Sequence, residues 1–166
     1  VSSNPTGPLH IGHARGAVLG NIISNLLSNQ GYEVTKEYYV NDAGRQINIL
    51  ALSIMLETFQ NNINKEGLYQ VAYIKDLAKK FMAAKLVNEV NNPLEKFSDD
   101  PDERIDQLIS HYKNDSPETW NLIRDFSVNE MIKLIKDDLS RMEILHDEWF
   151  YESSLGSIEK KDSSVA

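Results

Sequence analysis

The sequence predicts an α/β fold, the later half of a βαβ unit interrupted by a mostly helical insertion. Three observations carry that expectation. Residues 1–61 run loop, helix, strand, turn, helix. Residues 62–116 show helical periodicity and no strand signal. A long helix then opens at Pro117 and is followed by one more short strand-like run, which would return residues 117–166 to the sheet. Because a parallel crossover needs a strand on either side of its helix, the first strand of the unit is expected before Val1.

Each element has a local reason. Pro5, Gly7 and Pro8 keep residues 1–9 out of regular structure. From about His10 a helix is expected, since Leu19, Ile22, Ile23, Leu26 and Leu27 repeat at helical spacing and Gly31 stands where a C-terminal cap belongs. Residues Tyr32 to Val40 are β-branched and aromatic with partial alternation, which predicts a strand. Asn41-Asp42-Ala43-Gly44 is a turn that starts a helix through about Asn61, with Ile47, Leu50, Ile54 and Phe59 inward. In the insertion, helices from Tyr73 to about Val90 and from Asp102 to about Tyr112 are separated by Asn91-Asn92-Pro93 and Ser98-Asp99-Asp100-Pro101. Pro117-Glu118 opens the long helix, whose apolar stripe reads Leu122, Phe126, Met131, Ile132, Ile135, Leu139 and Met142. Asp147 to Glu152 is the returning strand, and Ser153 to Ala166 is loop-like.

Composition narrows the class. The chain has 166 residues, 41% of them hydrophobic and 25% charged, which suits a globular domain able to bury a core without staples. Cysteine is absent, so disulfides and thiolate metal sites are excluded and a reducing compartment, the cytoplasm, is expected. No apolar run approaches the roughly 18 residues that span a bilayer, and no secretory leader is visible. A chain that opens on Val1 inside a functional-looking loop is expected to be a fragment truncated at both ends. The net charge of −8 argues against a freestanding nucleic-acid binder, whose affinity comes mainly from neutralising phosphates.

Chemistry concentrates in SSNPTGPLHIGHARG, residues 2–16. A Gly/Pro-rich turn that runs into a helix N-terminus offers unpaired N–H groups and the positive end of the helix dipole, both of which favour phosphate. His10 and His13 are three apart and share one face of the first turn, so both imidazoles can donate to phosphate oxygens. Gly12 between them leaves the backbone open to a flat base or ribose. A metal pair or a plain turn with surface histidines remain open at this level, and neither the Walker phosphate loop nor the dinucleotide fingerprint is present.

The flanking blocks narrow the choice. SSNPTGPLHIGHARGAVLGN and GYEVTKEYYVNDAGRQI resemble the class I aminoacyl-tRNA synthetases, and within them the arginyl family. His10-Ile11-Gly12-His13 resembles that class's HIGH signature. Residues 2–9 are similar to the family's SPNPTGPLH with Ser3 in place of the usual proline, and residues 38–47 to its YYINDAGRQI. Gly67-Leu68-Tyr69 and Tyr73-Ile74-Lys75-Asp76 resemble its GLYPGEYIKD, from which Gln70-Val71-Ala72 departs. His146 to Leu155 resembles its FDVWFSESSL. The four blocks stand in order over nearly the whole chain.

The resemblance implies a partial Rossmann-like class I catalytic domain. It further implies an arginine–tRNA ligase that converts arginine and ATP, with Mg2+, to arginyl-adenylate, and then charges the 3′ end of tRNA(Arg). It assigns His10 and His13 to catalysis and Thr6, Gly7, Leu9, His10, Gly12 and His13 to ATP. It places Ser2, Asn4 and Glu152 against arginine, where a rigid carboxylate suits a guanidinium. No resident metal, no membrane partner and a monomeric state are expected. Asp42, Arg45 and Gln46 are expected in a structural turn and helix start, with lining of the substrate pocket as the alternative. Trp149 is expected in the core rather than stacked on a ligand, His111 and His146 in structural roles, and Arg15 either at phosphate or in solvent. The second class signature, of the Lys-Met-Ser-Lys kind, has no counterpart, and Glu159-Lys160-Lys161-Asp162 lacks its pattern. The fragment alone is therefore expected to be inactive. An HxGH nucleotidyltransferase without tRNA and a non-catalytic helical interaction module are the competing readings.

Overall fold

The computed structural model describes residues 1–59, 63–84, 90 and 97–156. The expected Asn91-Asn92-Pro93 break, Asn61, residues 85–89 and the Glu159–Asp162 cluster lie outside them. The elements run α1 (Ile11–Asn29), β1 (Glu37–Val40), α2 (Arg45–Thr58), α3 (Ala72–Ala83), α4 (Pro101–Asp115), α5 (Pro117–Arg141), β2 (Glu148–Tyr151) and a closing 3-10 turn at Glu152–Leu155. The chain divides into two compact units, Val1–Ala43 with Met131–Ala166, and Gly44–Glu130.

The first unit holds the sheet. β1 and β2 pair in parallel, Glu37 opposite Glu148 through Val40 opposite Tyr151. The strand expected from Tyr32 shortens to four residues, because β2 offers only four partners. Its start is flanked by Asp147, whose carboxylate accepts the Lys36 N–H at 2.7 Å. Tyr38 and Val40 point into the core and Glu37 and Tyr39 outward, the alternation a strand covered on one face requires. Tyr38 stacks on Trp149 at 4.4 Å, His146 meets both rings edge-on, and the Lys136 ammonium lies 4.4 Å from the Trp149 ring. Trp149, expected in the core, is half-buried, as is His146. Burial, and then the cationic N-terminus and Lys36, hold the His146 pKa below its ordinary value.

Helix α1 follows the expected span but not the expected burial. Leu19, Ile22, Ile23, Leu26 and Leu27 are exposed, and Ala17 alone in the helix is buried. No described residue covers the stripe.

The second unit is helical, with α2 packed on α3 and α4. Nine residues of α2 are buried, from Ile47 to Thr58, while Phe59 caps the helix and is only half-buried. α4 starts on Asp100, whose carboxylate accepts the Glu103 N–H at 2.9 Å, with Pro101 in the first turn. α3 ends with Ala84 as its cap, short of the expected Val90, which is not helical. In α5 the buried stripe is Trp120, Ile123, Ser127, Val128, Met131, Ile132, Ile135 and Leu139. Leu122 is exposed and Phe126 and Met142 are half-buried, so the expected stripe is corrected by one position at its start. Ser127 is tolerated inside because its hydroxyl donates to the Ile123 carbonyl. No described helix is long and apolar enough to cross a membrane.

Candidate active site

The opening loop is pinned to β1 by its two serines. Ser2 Oγ accepts the Tyr39 N–H at 2.9 Å. Ser3 is buried, and the Tyr38 hydroxyl accepts its N–H at 2.9 Å, donates to its carbonyl at 3.0 Å and lies 2.8 Å from its Oγ. The N–H used here is a group that a proline at this position would lack. Burial, opposed by these bonds, raises the Tyr38 pKa. The loop then turns on a Thr6 N–H to Asn4 carbonyl bond of 2.8 Å and delivers His10 to the start of α1.

His10 is the N-cap of α1, in extended conformation. Its Nδ1 accepts the Gly12 N–H at 3.2 Å, while His13 Nδ1 accepts the His10 N–H at 3.4 Å. The two histidines therefore occupy both halves of a capping box, the positions that usually go to Ser or Thr and Glu. Since each Nδ1 is an acceptor, each neutral ring carries its proton on Nε2. The rings stack at 3.7 Å with 18° between their planes. Desolvation, and then the neighbouring His10, lower the His13 pKa and favour its neutral form. The result is two Nε2–H donors beside the N–H groups of a helix start.

Gly12 also makes room for the His10 ring. A Cβ there would lie 3.0 Å from His10 Cε1 and 3.1 Å from its Nδ1. The missing side chain is the space in which the His10 ring folds back onto the helix.

A second group forms where the two strands end. With Val40 opposite Tyr151, residues 41–42 and 152–153 leave the sheet side by side. The neighbours of the Asn41 amide set its orientation: its nitrogen donates to Glu152 Oε2 at 2.7 Å and to the Ala43 carbonyl at 3.0 Å, and its oxygen faces the Asn4 carboxamide at 3.3 Å. Burial, and then the Glu152 carboxylate, raise the Tyr39 pKa. Asp42 Oδ1 accepts the Ser153 N–H at 2.9 Å and Oδ2 the Ser153 hydroxyl at 2.6 Å. Glu152 takes part in no ion pair among the described residues.

The structure thus brings Ser2, Asn4 and Glu152 to one end of the sheet, and His10, Gly12 and His13 to the start of α1. Thr6, Gly7 and Leu9 lie half-buried between them along the loop, and Arg15 is exposed. Tyr39 and Asn41 were not singled out by sequence reasoning, because their part depends on the register of a strand more than a hundred residues away. Arg45 turns elsewhere, to Asp102 and Asp106 at 2.9 Å each, within the helical unit. His111 faces Asp115 at 3.2 Å. Among the described residues no group of three or more His, Asp or Glu is placed to hold a metal ion.

Comparison with known proteins decides the family. The family model for the catalytic domain of class I tRNA synthetases (R) matches residues 1–163. The chain belongs to the class I arginyl-tRNA synthetase catalytic-domain family. Relatives named arginine–tRNA ligase include proteins from Vesicomyosocius okutanii, 39% identical over 93% of this chain and 28% of that protein, and from Rickettsia bellii, 40% identical over 96% and 25%. A crystal structure described as an arginyl-tRNA synthetase from Campylobacter jejuni superposes with a TM-score of 0.68 at 35% identity, covering 94% of this chain and 30% of that one. The chain spans about a quarter of the length of the curated synthetase relatives it matches.

Proposed function

We propose that the chain carries the ATP-side portion of the active site of an arginine–tRNA ligase. A carboxylate oxygen of arginine attacks the α-phosphorus of ATP, the bond to the pyrophosphate oxygen breaks, and arginyl-adenylate results. The terminal ribose hydroxyl of tRNA(Arg) then takes the arginyl group and AMP leaves. His10 and His13 donate their Nε2–H groups to the α-phosphate oxygens as charge builds there, supported by the N–H groups of the α1 start. Residues Thr6, Gly7, Leu9 and Gly12 line the nucleotide. Ser2 and Asn4 orient the amino-acid end of arginine, and Glu152 pairs with its cationic group. Magnesium accompanies the phosphates of ATP. No described cluster fits the ion as a resident ligand set, so no step is assigned to it. The protein acts as a monomer in the cytoplasm.

The observation that carries this reading is the reciprocal cap, which fixes both imidazoles as Nε2–H donors at an anion-favouring helix start. ATP–pyrophosphate exchange in the full-length protein tests it. His13→Gln is expected to lower kcat by about 10²-fold or more while the melting temperature moves little. Unchanged exchange would overturn it, and so would stabilisation of the protein by a cofactor precursor in place of arginine with ATP. The 166-residue chain alone is expected to catalyse neither exchange nor aminoacylation.

A further inference from the structure

The parallel register of β1 and β2 puts two short segments in contact that no local sequence pattern connects. Asp42, 9% exposed, accepts both the Ser153 N–H and the Ser153 hydroxyl, one on each carboxylate oxygen. That bidentate clip fixes the first residue after Glu152 at the start of the 3-10 turn. Asn41, next to Asp42, reaches the Glu152 carboxylate itself at 2.7 Å. The Oε2 oxygen is held by the Asn41 amide and the backbone of the next residue by Asp42, so the turn after β1 sets where the Glu152 charge stands. A carboxylate that must meet a planar cation gains from such support, because a misplacement of about 1 Å can cost about 10²-fold.

We propose that Asp42 is a positioning residue for the cationic amino-acid substrate, acting through Ser153 on Glu152. The proposal rests on the reading of Glu152 as the substrate's carboxylate partner, and it goes further by separating two sets of residues. Asp42 and Ser153 set the affinity for arginine, whereas the His10–His13 pair sets the rate of the phosphorus chemistry.

Arginine- and ATP-dependent pyrophosphate exchange in the full-length protein tests this with Asp42→Ala, Asp42→Asn, Ser153→Ala, Glu152→Gln and the Asp42→Ala/Glu152→Gln pair. Asp42→Ala should raise the KM for arginine about 10-fold or more, with kcat and the KM for ATP within about threefold of the parent. Asp42→Asn should recover most of the loss, since an amide can accept the Ser153 N–H through its oxygen and donate to the hydroxyl through its nitrogen. Ser153→Ala should shift the arginine KM in the same direction by less, and serves if Asp42→Ala does not fold. In the Glu152→Gln background the Asp42→Ala effect should vanish. A raised arginine KM in Glu152→Gln with none in Asp42→Ala or Ser153→Ala overturns the positioning role and leaves Glu152's role standing. An unchanged arginine KM in Glu152→Gln overturns both. Equal losses in arginine KM, ATP KM and kcat for Asp42→Ala overturn the positioning role in favour of a general structural one.

Discussion

Helices α1 and α2 carry similar apolar content and meet opposite fates. α2 buries nine residues, from Ile47 to Thr58, against α3 and α4. α1 buries Ala17 alone and leaves Leu19 at 59% and Leu26 at 60% exposure. The apolar period of a helix states which face needs cover; it does not state which part of the chain supplies it. α2 is apolar nearly all round, as a helix enclosed by neighbours must be. α1 instead alternates its stripe with Gly16, Gly20, Asn21, Ser24 and Asn25, and no described residue covers the stripe.

The contrast can be broken by measurement. The largest effect is expected in α2: Leu50→Ala should destabilise the 166-residue chain by about 2–5 kcal/mol in denaturant unfolding, since Leu50 is fully buried. In the unit that contains α1 the largest single loss is expected away from that helix. Tyr38→Phe removes a buried hydroxyl that serves three atoms of Ser3, and should cost about 1–3 kcal/mol. Smaller still is a pH effect. The folded state depresses the His13 pKa, so its contribution is fully present above the unfolded imidazole pKa and is lost as the pH falls through the lower folded value. His146 is depressed too and acts in the same sense. His13→Gln should therefore flatten part, not all, of the fall in melting temperature on acidification below about pH 6.5. The smallest effect is expected for Leu26→Gln, within about 0.5 kcal/mol of the parent. A loss above about 1 kcal/mol there would show the α1 stripe to be covered in solution and would remove the contrast.

Element types were legible because capping and turn residues act locally. The α1 and α4 starts rest on His10 and Asp100, whose side chains cap N–H groups within three residues, so both helices could be placed to within a residue or two. Strand lengths were not legible, since β1 begins only at Glu37, where pairing with β2 begins. The α5 stripe began one position off because a serine at 127 satisfies its hydroxyl on its own helix and can enter the core, which an apolar pattern passes over. In the site, the histidines and the serine-rich loop were visible as a block. Tyr39, Asn41 and the Asp42–Ser153 clip were not, because they exist only once a particular parallel register is set.

The capping box built from His10 and His13 ties reaction chemistry to helix nucleation in a way that matters for mutagenesis. Removing either imidazole with alanine also strips the first turn of α1 of a cap, so a loss of rate and a frayed helix would arrive together. Asparagine at position 10 separates them, because it is among the strongest N-caps and has no ring to offer a phosphate. A His10→Asn protein that keeps its melting temperature and loses exchange would isolate the imidazole's contribution. One that keeps both would show that the first turn, and not the ring, is what the histidine was there to provide.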